Sequence, residues 1–197
     1  MVVEKDLLAL KLELSVKAKN GLDFIAAAGL VWALLAFVWT LPYPPQQKGF
    51  LTFCLGGLVL PLAWLLSKVL HTTWTLPHNP LQPLGLWLNI AQLFYFPLLA
   101  VVYARQPDYF IMSYAIITGA HLFPYAWFYH ARAYAVLAGA MATGSMLLGL
   151  RLSRHEMYLI PVFMAGAFAL LGLLLLVAYR RNNLLYRLTG AAHPTQP

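Results

Sequence analysis

The chain has 197 residues, 61% of them hydrophobic and only 10% charged, with a mean hydropathy of +0.71. That composition excludes an ordinary soluble domain and a disordered chain, and predicts one domain of apolar spans joined by short connections. Thirteen basic residues against six acidic ones give a net charge of +7; in so apolar a chain the excess sets orientation and contact with anionic lipid, so the lipid bilayer is the expected partner and nucleic acid is not. The single cysteine, Cys54, allows neither an intrachain disulfide nor a thiolate metal cluster.

Residues 1–20 read as an amphipathic leader. Lys5, Lys11, Lys17 and Lys19 mix with Glu4, Asp6 and Glu13, and Val3, Leu7, Leu10 and Leu14 form one apolar stripe at helical spacing. Residues 10–17 also alternate strictly, which is strand spacing. A short interfacial helix is favoured, because a lone strand beside a membrane has no partner; a partly ordered leader is the alternative. Glu4 and Asp6 argue against a cleaved signal peptide.

Six apolar stretches follow, at 21–41, 49–70, 84–104, 108–130, 131–150 and 157–179, each near the roughly twenty residues that a bilayer requires. The expected fold is therefore an all-α integral membrane protein with six transmembrane helices over residues 21–179. Residues 180–197 read as a cytoplasmic tail, first basic, then disordered from Thr189. An internal repeat suggests three two-helix hairpins: Gly56–Trp64 aligns on Gly119–Trp127, with Gly, Pro, Ala and Trp matching at four of nine positions. Of the thirteen lysines and arginines, nine fall on the amino-terminal side of these spans and four on the other. This bias puts both termini in the cytoplasm of an inner-membrane protein. Pro61 and Pro97 lie inside spans as kinks or hinges, and glycines such as Gly29, Gly56, Gly119, Gly139, Gly144 and Gly149 read as close-packing points.

The stretch 108–130 carries the most chemistry. Tyr114, Thr118, His121, Tyr125 and Tyr129 fall at steps of four, three, four and four, which keeps them on one helical face. Lipid cannot hydrogen-bond to such a stripe, so it should face protein or a wet cavity. An intramembrane histidine is a functional candidate by default. Pro124 cannot donate to the Ala120 carbonyl, so a free carbonyl is expected beside the imidazole. On the preceding span Asn89 and Gln92 share a face, with Gln92 at the depth of His121. A pocket between the third and fourth helices follows, with His121 as the ionisable contact, Tyr114 and Tyr125 as walls, and Gln92 and Asn89 as hydrogen-bonding partners. The same groups could instead satisfy one another as interhelical bonds.

Other chemistry is weakly supported. His71, His78 and His130 gather near one side, but without i, i+4 spacing or a nearby carboxylate, so neither a metal nor a haem is expected as cofactor. No carboxylate is expected to be buried in a span: Asp23 and Asp108 sit at span ends, Asp108 as a helix cap, and Glu156 is expected to pair with an arginine. No H-E-x-x-H, G-x-S-x-G or phosphate-binding glycine loop occurs. The leading reading is thus binding or transport of a small ligand, the competing one a non-catalytic accessory subunit, and an intramembrane enzyme comes third. A homodimer is compatible with so short a chain, because six short helices leave little room for an enclosed pathway.

The sequence Phe53-x-x-Gly56-Gly57-x-x-x-Pro61-Leu62-x-x-x-Leu66-Ser67-Lys68, then Asn79-Pro80-Leu81, then Gly119 to Tyr129, resembles a family of uncharacterised bacterial multi-span membrane proteins classed as a domain of unknown function. The likeness covers most of residues 21–179. It implies an inner-membrane protein of this span count, and it implies no activity, ligand or catalytic residue.

Overall fold

The computed structural model describes residues 4–189, and every regular element among them is helical. Ten α-helices occur: α1 (Glu4–Lys17), α2 (Leu22–Thr40), α3 (Pro45–Gly56), α4 (Val59–Leu70), α5 (Gln82–Leu93), α6 (Phe96–Arg105), α7 (Phe110–Ala120), α8 (Tyr125–Phe128), α9 (Ala133–Arg151) and α10 (Leu159–Leu188). Five segments are long and apolar enough to cross a membrane: Lys19–Thr40, Pro45–Leu70, Gln82–Arg105, Ala133–Arg151 and Arg154–Leu188. The fourth expected span, 108–130, is not a single helix, because α7 ends at Ala120 and a turn separates it from α8.

Proline explains where the helices break. Pro61, Pro97 and Pro124 each lack the N–H that would reach four residues back, and the ring crowds that carbonyl. In each case the helix yields just upstream, at Gly57–Leu58, Phe94–Tyr95 and His121–Pro124. The backbone there switches to three-residue bonds: the amides of Leu58, Tyr95 and Phe123 donate to the carbonyls of Leu55, Gln92 and Ala120 at 3.0, 3.1 and 3.1 Å. The Ala120 carbonyl is therefore occupied, not free beside the imidazole as the sequence suggested. Pro161 falls in the first turn of α10, where its missing donor is not needed, and α10 runs on unbroken.

The most extensive contact joins α2 to α10, the first long helix to the last, and α7 lies against α9. Leu35, Met141, Met164, Leu171 and Leu175 are fully buried between these helices. Gly119 permits the α7–α9 approach: a Cβ there would lie 3.0 Å from the Ala142 backbone nitrogen, and it would also collide with Met141. Gly139 has no such neighbour and is not a packing point. The outside is apolar, with Leu30, Phe37, Leu60, Trp87, Phe94 and Val177 all more than half exposed.

Two ends of the bundle can be told apart. At the far end Asp108 pairs with Arg154 at 2.7 Å, ahead of α10. At the near end the Asn182 amide, late in α10, donates to the Tyr129 carbonyl at 3.1 Å. Residues 108–130 thus run the length of α10 despite their break. Asp108 makes no helix cap; the expected arginine pairing of Glu156 is also absent, because Glu156 instead bonds Ser153 in a capping box.

α1 is the helix favoured from the sequence, and Leu12, Leu14 and Ser15 are buried against the bundle, so one side of it packs on protein. α10 continues past Tyr179 to Leu188, held by that contact with α1. The expected disorder of 190–197, and the part of the leader stripe at Val3, lie outside the described residues.

Candidate functional site

The polar stripe of 114–129 is divided by the helix break. Tyr114 lies on α7 and packs against Trp32 of α2, with ring centroids 5.5 Å apart, and stacks near Phe110 at 6.1 Å. Its hydroxyl points at Gly56 of α3. Its side chain is thus engaged by α2 and α3, about two turns from His121.

Thr118, His121 and Tyr125 do stay together. The His121 Nδ1 lies 2.7 Å from the Thr118 carbonyl. A carbonyl only accepts, so Nδ1 carries the proton and, in the neutral ring, Nε2 presents a lone pair. No protein group among the described residues bonds Nε2. The Thr118 hydroxyl is buried and likewise has no hydrogen-bond partner. The His121 ring stands edge-on to Tyr125 with centroids 6.2 Å apart. Across from them, Gly85 of α5 packs closely against the Phe128 ring, and a Cβ there would lie 3.0 Å from its Cζ. The Tyr125 hydroxyl makes a long bond of 3.5 Å to the Gly85 carbonyl, and the Asn89 amide donates to the same carbonyl at 3.0 Å. Asn89 is exposed and Gln92, one turn on, is half-buried without a bonded partner among the described residues. The structure thus brings Tyr125 to both His121 and the Gly85 carbonyl that Asn89 shares, and it makes no hydrogen bond between Gln92 and His121.

Tyr125 also leads away from this site. Its ring stacks near Tyr129 and Tyr134, at 5.9 and 5.7 Å, and the Tyr134 hydroxyl donates to the Asn20 carbonyl at 2.7 Å. Asn20 belongs to a buried amide knot. Ser15 Oγ donates to Asn20 Oδ1 at 2.6 Å, Asn182 Nδ2 donates to Ser15 Oγ at 2.8 Å, and Asn20 Nδ2 donates to the Leu175 carbonyl at 3.1 Å. The turn that presents Asn20 is left-handed at three successive residues, Lys19, Asn20 and Gly21. Asparagine and glycine accept that conformation readily, and the Lys19 ammonium is tied to the Leu70 carbonyl at 2.7 Å.

Asp23 sits at the start of α2, the span end where the sequence put it, but it is buried there. It is 2% exposed, on the first turn of α2, and accepts bonds from Thr72 Oγ1 at 2.7 Å and Trp74 Nε1 at 2.6 Å. A helix amino terminus and two donors replace the missing cation. Glu13 anchors the same loop from α1, bonding His78 at 2.7 Å and Asn79 at 2.8 Å. The loop 71–81 is thereby laced onto α1 and α2. Composition gave no signal for these contacts, apart from the oddity of a carboxylate and two asparagines beside apolar runs.

His71 and His78 are exposed, and among the described residues no three histidine, cysteine or carboxylate side chains come together. An open groove of about 490 Å³ lies at the far end, lined by Tyr43, Gln46, Gln47, Phe50, Leu51 and Tyr103, away from His121.

These features define an all-helical protein with five helices apolar enough to cross a membrane. The chain matches the Family of unknown function (DUF7010) over residues 7–178 and belongs to that family. No curated protein and no solved structure matches it.

Proposed function

We propose that this is a multi-span membrane protein that binds or carries a small polar ligand against Thr118, His121 and Tyr125, beside Asn89 and Gln92 of α5. The observation that carries this reading is the pair of unused polar atoms at the helix break. A buried hydroxyl without a partner is costly, about 1–3 kcal/mol, and its persistence beside an imidazole with a free nitrogen is accounted for by a ligand that bonds both. The ligand offers a donor to Nε2 and an acceptor to the Thr118 hydroxyl. Broken helices at depth are a recurrent way to expose such groups. The apolar exterior supports embedding in a bilayer, and the broken segment 108–130 serves as a sixth crossing. With six crossings the lysine and arginine bias places both ends of the chain in the cytoplasm, as expected of an inner-membrane protein.

The test is thermal stability of purified protein against a panel of small metabolites, since anything that binds only the folded state raises its melting point. A compound that stabilises the wild type, but neither His121→Ala nor Thr118→Val, supports the site. A panel that stabilises all three proteins equally removes it.

A second reading, a non-catalytic subunit of a larger assembly or a homodimer, is favoured by α5. No residue of α5 is buried, and it presents Trp87 outward together with the polar Asn89. Native mass spectrometry in detergent separates a lone chain from an assembly.

A further inference from the structure

The near end of the bundle gathers three cations and a histidine, and the ion pairs of the described residues, Glu13 with His78 and Asp108 with Arg154, involve none of them. They come from four places in the fold: Lys11 from α1, His130 from the turn after α8, Arg132 just ahead of α9, and Arg181 from α10. Lys11 is largely buried along its stem, and its ammonium lies 3.9 Å from the centroid of the Trp127 ring. Arg181 donates to the His130 carbonyl at 3.1 Å, which fixes its guanidinium at the turn. The chain reverses at His130 in a left-handed conformation, φ 51°, and this carries Arg132 to the same side. Arg132 is exposed and makes no hydrogen bond or ion pair among the described residues.

Two buried or half-buried carboxylates of this end are engaged elsewhere. Glu13 holds His78 and Asn79, and Asp23 holds Thr72 and Trp74. Asp6 is exposed, further back on α1. Burial, and then the charges of Lys11, Arg181 and Arg132, keep the His130 imidazole below its ordinary value of 6.5. Three fixed cations around a histidine repel one another until an anion joins them.

We propose that Lys11, His130, Arg132 and Arg181 form a binding site for a phosphate ester, with the headgroup of an anionic phospholipid as its source. Guanidinium groups match phosphate oxygens in pairs, and the lysine adds a point charge. The half-exposed Trp127 beside Lys11 suits a headgroup layer, where indole rings collect. The inference does not depend on the His121 site, which lies on the other side of α8 in sequence.

The test uses the full-length protein in a non-ionic detergent, with melting temperature read against dihexanoylphosphatidylglycerol, dihexanoylphosphatidylcholine and inorganic phosphate. The phosphatidylglycerol raises the melting temperature and the phosphatidylcholine does not. Arg132→Gln and Lys11→Gln each weaken the apparent affinity about fivefold, whereas Arg105→Gln at the far end leaves it unchanged. Arg132 is exposed, so its variant folds and keeps the test decisive. Lowering the pH from about 7.5 to about 5.5 tightens phosphatidylglycerol binding, because a bound anion favours protonated His130, and His130→Gln abolishes that trend. Inorganic phosphate acting as strongly as the lipid keeps the chemistry but assigns the site to a free phosphate. Equal stabilisation by phosphatidylcholine, or an unchanged affinity in Arg132→Gln, overturns the proposal. His121→Ala retains the phosphatidylglycerol response, so failure there and failure here are separable.

Discussion

Asn182→Leu is the most informative single perturbation of this fold. The Asn182 side chain is fully buried, and its Nδ2 donates to Ser15 Oγ, the Tyr129 carbonyl and the His130 carbonyl at 2.8, 3.1 and 3.3 Å. Leucine has a similar size, so packing changes little and the loss is polar. The three acceptors are not equally harmed. The His130 carbonyl keeps its bond from Arg181, and Ser15 keeps its own donation to Asn20. The Tyr129 carbonyl is left without a donor, which costs about 1–3 kcal/mol, and the weakened network adds about 1 more. The expected loss is therefore about 2–4 kcal/mol. Reversible unfolding in mixed micelles, followed by circular dichroism, measures it. Ser15→Ala alone removes one link of the same chain of bonds, so the double variant should lose less than the sum by at least about 0.5 kcal/mol. A loss under about 0.5 kcal/mol for Asn182→Leu, or strict additivity with Ser15→Ala, would refute the view that these amides act as one knot.

Gly119→Leu should be more disruptive than a surface change of the same kind, because the new side chain meets Met141 and the α9 backbone at Ala142. Overpacking of that sort costs about 1–3 kcal/mol, and a lower melting temperature than that of Gly139→Leu, which faces open space, checks it. His130 gives a pH signature. Its folded value lies below 6.5, so above that pH neither the folded nor the unfolded chain is protonated there and stability is flat. Below it the unfolded chain binds a proton that the folded chain does not, so stability falls with pH until the folded value is passed. Melting curves of wild type and His130→Gln across this range should diverge on the acid side, in protein freed of anionic lipid.

Much of the frame was legible because apolar length and proline act locally. Pro61, Pro97 and Pro124 marked the breaks inside the three expected spans that hold them, since a missing donor and a ring clash need no distant partner. The i, i+4 step from His121 to Tyr125 survived the turn at Pro124, so that pair was legible too. Tyr114 keeps helical phase with His121, whose amide still donates to the Ile117 carbonyl at 3.1 Å, but what its ring and hydroxyl meet, Trp32 and Gly56, was not legible because only tertiary structure brings them there. Asp23 was legible as a span end but not as a buried group, because nothing near it in sequence shows that residues 72–74 fold back to cover it. Asn20 and Asn182 were invisible as a pair for the same reason, being joined only by tertiary structure. Thr118 stood in the stripe from the start, but its lack of a partner is a property of its buried tertiary surroundings.

The amide knot has a consequence for how the chain comes together. Ser15 and Asn182 are 167 positions apart, and α2 has its broadest contact with α10. α2 therefore lacks its broadest partner until the residues of α10, far along the chain, have joined it. Before α10 is in place, Ser15 lacks the Asn182 donor and Asn20 lacks the Leu175 carbonyl, so only the Ser15–Asn20 link of the knot is made. Cutting the chain between α2 and α10 would thus separate two parts that complete each other's polar groups.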